Sequence, residues 1–352
     1  MKAILLAGGK GTRLRPLTLN TPKPVVPIFD RAFLHYQIER LHQIPEIDEV
    51  ILSLNYQPRR IEEVFGAGEG TGVRLRYVVE PSPLGTGGAI RYAAQGIDDT
   101  IVVFNGDVMT DVDLPAVLAK HRDAQARATI VLTPVDNPTA YGLVETSADG
   151  HVTRFLEKPA AHEITCNTIN AGIYVLEPQT FDRIPEDTNY SIERAYFPSL
   201  VERGETFVAH IERGYWIDIG TPEKYLQVHR DMFDGRFAGG LFRTADRTVP
   251  IVSPDARIDA GATLEGPCFV DAGAHIKPGA TIGAYAVVGR GCVVEEGARV
   301  TGAILWPNTR VGEGATIDGS LIGRGCHVGR FARVGPTAIL GDKTSLTDFT
   351  QA

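Results

Sequence analysis

The chain has 352 residues, 43% of them hydrophobic, 38 glycines and a formal net charge of -8. That length fits two domains of roughly 100–200 residues each, and the apolar content excludes a disordered, charge-solvated chain. Overall acidity argues against nucleic acid or an anionic membrane as the main partner. Glycine exceeds its usual ~7% share without a collagen period, so something local consumes it.

The start, Met1-Lys2-Ala3-Ile4-Leu5-Leu6-Ala7, imitates a signal peptide, but its apolar run ends after five residues at Gly8-Gly9-Lys10. That is too short for an h-region, and Ala3–Leu6 reads instead as a buried strand. No apolar stretch approaches the ~20 residues of a membrane span. Four cysteines (Cys166, Cys268, Cys292, Cys326) lack any C-x-x-C spacing, which weighs against a disulfide framework and a structural zinc site. A cytoplasmic protein is expected.

Next comes Gly8-Gly9-Lys10-Gly11-Thr12-Arg13-Leu14-Arg15-Pro16-Leu17-Thr18, then Thr21-Pro22-Lys23-Pro24. Glycines directly after a buried strand let backbone N–H groups approach a polyphosphate. Residues 10–23 carry four basic side chains and no acid, a cationic spot in an acidic protein. The string is neither a Walker loop nor a dinucleotide fingerprint. By itself, Gly-Gly-x-Gly fits an ordinary turn with solvated basic residues equally well.

Glu49–Leu54, Thr100–Phe104 and Ala128–Leu132 read as further buried strands. Between them, Phe33–Ile44 reads as an amphipathic helix with Leu34, Ile38 and Leu41 on one face. Alternation of strand and helix predicts an α/β, Rossmann-like, mostly parallel sheet. A helix over Pro222–Phe233, opened by proline, closes this unit, so the expected domains are 1–233, a linker over 234–250, and 251–352.

From Val252 a hexapeptide rule takes over. Aliphatic residues recur every sixth position from Val252 through Ile258, Leu264, Val270, Ile276, Ile282, Val288 and Val294 to Val300. Small residues follow four places later, Cys268 and Cys292 among them. With two five-residue steps, the series runs on through Leu305, Val311, Ile317, Ile322 and Val328 to Val334. A fixed six-residue period predicts a parallel β-helix of about five coils: one aliphatic side chain fills each face, and glycine helps turn the corners.

Leu6-Ala7-Gly8-Gly9-x-Gly11-Thr12-Arg13-Leu14-x-Pro16-Leu17-Thr18 with Pro22-Lys23-Pro24 resembles the signature of the sugar-nucleotide pyrophosphorylases. These nucleotidyltransferases join a sugar 1-phosphate to a nucleoside triphosphate and release pyrophosphate. The resemblance continues in order through Pro83–Ala89, Asn105-Gly106-Asp107, Tyr141-Gly142, Glu157-Lys158-Pro159, Asn170–Tyr174 and Trp216–Pro222. It implies a left-handed β-helix as the second domain and Mg²⁺ held by Asp107 and Asp218. It implies Arg13 and Lys23 as the catalytic phosphate-binding cations. Leu6, Ala7, Gly8, Gly9, Gly11, Thr12, Arg13, Glu80 and Gly85 would bind the nucleotide, and Gly142, Glu157, Lys158 and Asn170 the sugar phosphate. Singly, either aspartate also fits a turn residue, and Glu157-Lys158 a solvated surface pair.

Glu80 separates branches of the family. Pyrimidine-using relatives carry glutamine five residues before the glycine that matches Gly85. Guanine presents two neighbouring donors, N1–H and N2–H₂, which a carboxylate accepts. GTP and mannose 1-phosphate are therefore the expected substrates, as in the mannose-1-phosphate guanylyltransferase branch. The alternatives are a manno-heptose 1-phosphate guanylyltransferase and a glucose-1-phosphate thymidylyl- or uridylyltransferase. Glu80 pointing to solvent also stays open.

Two readings come from other classes. A hexapeptide acyltransferase would use His275 or His327 as base, but each directly precedes a core position of the repeat, where an ordinary coil residue belongs. A non-catalytic regulatory subunit would have no need of Arg13, Lys23, Asp107 and Asp218 together. The flat faces of a solenoid predict a homo-oligomer assembled through the β-helix.

Overall fold

The computed structural model of the protein describes residues 1–237 and 248–352. These residues form two compact units, neither continuous in sequence: Met1–Gly9 with Leu34–Trp216, and Lys10–Phe33 with Ile217–Ala352. The units do not follow the expected boundary after 233: Lys10–Phe33 and 217–233 group with the β-helix. Of the expected linker 234–250, residues 238–247 lie outside the described residues.

The first unit is built on a nine-stranded sheet. Its strands are β1 (Lys2–Leu6), β2 (Glu49–Leu54), β3 (Arg74–Val79), β4 (Ile101–Asn105), β5 (Ala128–Pro134), β6 (Gly142–Thr146), β7 (Val152–Glu157), β8 (Thr168–Leu176) and β9 (Phe207–Ile211). The order is β7-β6-β8-β4-β1-β2-β3, with β5 joined to β8 and β9. Strands β4, β1, β2 and β3 run parallel, in the register Leu6↔Asn105 and Leu6↔Ser53. Beyond β4 the sheet turns antiparallel through β8. The Rossmann-like character therefore sits in the half whose strands read as continuous apolar runs, since crossover helices cover both faces there.

Helices α1 (Phe33–Leu41), α2 (Pro58–Phe65), α3 (Gly85–Ala93), α4 (Leu114–Asp123) and α5 (Phe197–Glu202) connect these strands. The core joins Ile4, Ile51, Val103 and Ile130 to Tyr174, Tyr196 and Phe197. Phe207 stacks on Phe197 at 5.2 Å.

In the second unit, α6 (Pro222–Phe233) begins where expected, with the Thr221 hydroxyl accepting from the Lys224 N–H. The repeat forms short strands in three parallel sheets of six, six and five strands among the described residues. Each strand pairs with the third one after it, Val252 with Val270 and Val270 with Val288, as in a left-handed β-helix. The series continues past Val334 through Leu340 and Leu346, almost one coil beyond the expected five. Alanines at the +4 places, with Cys268, Cys292 and Cys326, fill the interior beside the aliphatic column. Their thiols are free, and burial pushes the Cys292 thiol up to about 12. Corner residues such as Gly273 and Gly291 have φ of 67° and 65°, a left-handed conformation that costs glycine nothing. No helix among the described residues is long and apolar enough to cross a membrane.

Candidate active site

In the first unit, Leu6, Ala7, Gly8, Gly9, Glu80 and Asp107 lie where parallel strands end. Ala7 follows β1 and donates its N–H to the Ser53 carbonyl at 2.9 Å. A Cβ on Gly8 would lie 3.0 Å from the Asn55 nitrogen and 3.3 Å from Glu80 Oε1. One on Gly9 would meet nothing, leaving its backbone approachable. Next to β1, the Gly106 N–H donates to the Leu6 carbonyl at 3.0 Å, and a Cβ there would sit 2.3 Å from that oxygen. Only glycine permits this crossing. It places Asp107 at the carboxyl end of β4, the usual ligand edge of an open parallel sheet.

Glu80 lies just past β3, its carboxylate half-buried. Its Oε2 accepts the Leu84 N–H at 3.0 Å and its Oε1 the Ser53 hydroxyl at 3.4 Å. Burial raises its pKa against these two bonds. Gly85 has φ of +68° at the start of α3, with Asn189 Oδ1 and the Tyr190 carbonyl both 2.9 Å from a Cβ position. The N–H groups of Gly87 and Gly88 donate to Tyr190 O. Thr86 donates its hydroxyl to Glu193 at 2.7 Å and accepts the Ile192 N–H. The Gly85–Gly88 turn thus binds the segment 188–193, a partner that the sequence reading did not identify.

The predicted sugar-pocket residues lie on paired strands. Gly142 opposes Glu157 across β6 and β7; a Cβ on Gly142 would lie 2.8 Å from Phe155 Cζ and 3.1 Å from Glu157 Oε2. Burial raises the Glu157 pKa, with Glu193 adding to the effect. Lys158 is exposed, adopts a left-handed φ of 53°, and donates its N–H to the Tyr141 carbonyl at 2.9 Å. A lysine in that region is uncommon and costs energy that the surroundings must offset. Asn170 is spent locally: its Nδ2 donates to the Tyr174 hydroxyl and its Oδ1 accepts the Gly172 N–H, pinning the bulge in β8.

Arg13, Lys23 and Asp218 belong to the second unit. Gly11 has φ of 58° and caps a short helical turn, Thr12–Leu14. Its carbonyl accepts the Thr18 hydroxyl at 2.7 Å, and a Cβ on it would lie 3.4 Å from that of Lys23. Lys23 is buried. Arg13 Nη2 and Asp218 Oδ2 each come within 2.7 Å of a Cβ position on Gly220, so that glycine makes room for both. Lys224, in the first turn of α6, donates to Asp218 Oδ1. Sequence reasoning missed Lys224; its signal is a lysine six residues after the aspartate, just inside a proline-opened helix.

Among the described residues no group of three or more His, Cys, Asp and Glu side chains gathers to hold a metal ion. Asp107 follows Gly106 at the carboxyl end of β4, and Asp218 lies beside Arg13, Gly220 and Lys224. A single carboxylate of either kind suits a magnesium ion that takes most of its ligands from substrate phosphates and water. In the β-helix, His275 Nε2 pairs with Asp259 Oδ2 at 2.7 Å, and His327 lies exposed on a coil strand.

Residues 2–235 match the family model described as Nucleotidyl transferase. The chain belongs to the nucleotidyl transferase family. Residues 264–350 match a second model, the GMPPB C-terminal domain. The mannose-1-phosphate guanylyltransferase of Mycobacterium tuberculosis is 39% identical over 90% of this chain and 82% of its own length. The probable mannose-1-phosphate guanylyltransferase 2 of Arabidopsis thaliana is 37% identical over 99% of this chain and 93% of its own. Among solved structures, HddC from Yersinia pseudotuberculosis complexed with GMP-PN is 30% identical with a TM-score of 0.56, covering 66% of this chain and 99% of that one.

Proposed function

We propose that this nucleotidyltransferase transfers a guanylyl group from GTP to mannose 1-phosphate, giving GDP-mannose and pyrophosphate. The observation that carries the nucleotide choice is Glu80. Its Oε1 lies beside Gly8 at the ligand edge of the sheet, where a carboxylate accepts from the guanine N1–H and N2–H₂ pair. Relatives named guanylyltransferases support the same reading over almost the whole chain.

In the reaction, a phosphate oxygen of the sugar 1-phosphate attacks the α-phosphorus of GTP. That P–O bond forms as the bond to pyrophosphate breaks, and the leaving pyrophosphate carries the charge away. The protein's part is positioning and charge neutralisation. Open backbone at Gly9, flanked by Gly8 and Gly11, meets the triphosphate, with Thr12 opening the turn behind it; Leu6 and Ala7 carry the loop. Arg13 takes the charge of the departing pyrophosphate and Lys23 that of the reacting phosphates. Lys158 holds the sugar phosphate, Glu157 accepts from sugar hydroxyls, and Gly142 and Asn170 shape that pocket. Mg²⁺, held by Asp107 and Asp218, would neutralise phosphate charge. Lys224 balances Asp218 without it. The reading includes a cytoplasmic enzyme that self-associates through its β-helix, a surface suited to extended contacts.

A pyrophosphate-release screen of five nucleoside triphosphates against mannose, glucose and manno-heptose 1-phosphates tests this. The expected outcome is highest kcat/KM with GTP and mannose 1-phosphate. Preference for dTTP or UTP would reject the role of Glu80, and turnover with acetyl-CoA and an amino-sugar phosphate instead would move the activity to the β-helix.

A further inference from the structure

The signature loop is anchored from the side of the β-helix. Within the second unit, Phe29 packs against His229 and Phe233 of α6, each at 5.0 Å, and against Phe269 of the β-helix at 5.4 Å. Two residues earlier, the Pro27 carbonyl accepts the Tyr225 hydroxyl, and that hydroxyl accepts the indole N–H of Trp306 at 3.0 Å. Trp306 is a β-helix residue and fully buried. At the other end of the loop, Gly341 meets Pro16: a Cβ on that glycine would lie 3.0 Å from Pro16 Cβ and 3.4 Å from its Cγ. Pro16 and Pro27 bracket Lys23, and Arg13 lies three residues before Pro16. Between them the chain is knitted by the Thr18–Gly11 bond and by Val26 N–H donating to the Lys23 carbonyl.

We infer that the β-helix is a working part of the nucleotide site, with Trp306, Tyr225 and Gly341 acting as positioning residues that set the register of the loop carrying Arg13 and Lys23. The inference rests on the reading of that loop as the triphosphate site. None of the three touches substrate; they act through the Pro27 carbonyl and the Pro16 ring. A hydrogen bond that ends on a loop carbonyl fixes loop position, whereas the aromatic packing around Phe29 supplies adhesion. Removing the bond while keeping the rings separates these two contributions.

Trp306→Phe deletes the bond to Tyr225, Tyr225→Phe deletes both bonds of that hydroxyl, each retaining an aromatic ring, and Gly341→Ala adds one methyl against Pro16 on a backbone that accepts it. Steady-state kinetics of the full-length protein are read with GTP and with mannose 1-phosphate varied in turn. The expected result is a fall of about tenfold in kcat/KM for GTP in each variant, since small misplacement of a phosphate loop is costly. The KM for mannose 1-phosphate stays within about twofold, because its pocket lies on β6–β8. The double variant Trp306→Phe/Tyr225→Phe loses no more than the worse single, as links in one chain couple. Isothermal titration with GTP alone shows the same weakening as the kinetics. Wild-type GTP kinetics in Gly341→Ala together with either ring variant would overturn the inference. Equal losses on both substrates would do so as well, since that pattern marks general loosening. If the wild-type protein itself releases no pyrophosphate from GTP, the underlying reading fails instead.

Discussion

At Glu80, one carboxylate serves both the fold and the proposed base. Oε2 is committed to the Leu84 N–H, while Oε1, the oxygen nearer Gly8, holds only a long bond from Ser53. In Glu80→Gln the amide oxygen can keep Leu84, which leaves an NH₂ where guanine needs an acceptor. GTP specificity relative to dTTP should fall by roughly 10–100-fold, because a donor facing a donor is left unpaired. Thermal stability should scarcely change. Competition assays with both nucleotides check this, and an unaltered preference would remove Glu80 from base recognition. His229 allows a second prediction at this scale. It is fully buried, with the Phe29 N–H donating to Nε2 and Nδ1 against the Tyr225 carbonyl, and desolvation outweighs that carbonyl and pushes its pKa from 6.5 down to about 4. The unfolded chain takes up the proton first. Its contribution is therefore intact above pH 6.5 and is lost as pH falls from 6.5 to about 4, by roughly 3 kcal/mol in all. Urea unfolding at pH 7 and pH 4.5 should show a smaller acid loss in His229→Gln than in the parent. Parallel losses in both proteins would contradict the assignment.

Helix α3 shows how an element carries meaning that its motif conceals. Read from sequence, Gly85-x-Gly87-Gly88 resembles a nucleotide turn. In the fold, a Cβ on Gly88 would stand 2.6 Å from the Thr188 carbonyl, and one on Gly87 would stand 3.1 Å from that of Tyr190. Those two glycines let α3 close on the segment leading into α5. Gly88→Ala should therefore destabilise the protein by about 1–3 kcal/mol, the usual cost of overpacking, as measured by urea titration at constant m-value. A neutral effect would show that the segment yields. The same distinction explains what was legible. Period six and buried apolar runs were readable because each reports a face repeated over many residues: the β-helix, β1, β2, β4 and β5 all appear where expected. Asp107 was placeable because its strand was. Ser53, Leu84, Tyr190 and Lys224 were not, since each meets its partner through tertiary contact between segments with no shared period. The division at Lys10–Phe33 was hidden for the same reason: Phe29 looks like any loop aromatic until Phe269, 240 residues later, packs against it.

For the whole molecule, the question is what the second unit needs in order to fold. HddC matches 66% of this chain across 99% of its own, so a protein of similar fold exists at about two-thirds the length. In the present chain, however, Tyr225, Phe233 and Phe29 are almost fully buried, and their partners include Trp306, Tyr285 and Phe269. All three partners lie in the β-helix. Ending the chain after Phe237 would uncover this aromatic group, and large side chains of that kind lose about 1.5–3 kcal/mol each on exposure. The sheet of the first unit keeps its own core around Ile4, Val103 and Tyr174. Residues 1–237 are thus expected to retain far-UV circular dichroism while binding ANS and aggregating, the behaviour of exposed apolar surface. Replacing Phe29, Tyr225 and Phe233 by polar residues in the same truncated chain should restore solubility but not turnover, because the signature loop still lacks its anchor at Trp306. Sedimentation of the soluble version beside the full chain then reports separately on assembly: a full chain and a truncated chain of equal subunit number would place self-association outside the β-helix. A truncated, solubilised chain with full activity would show that the first unit, Lys10–Phe33 and α6 suffice without the coils.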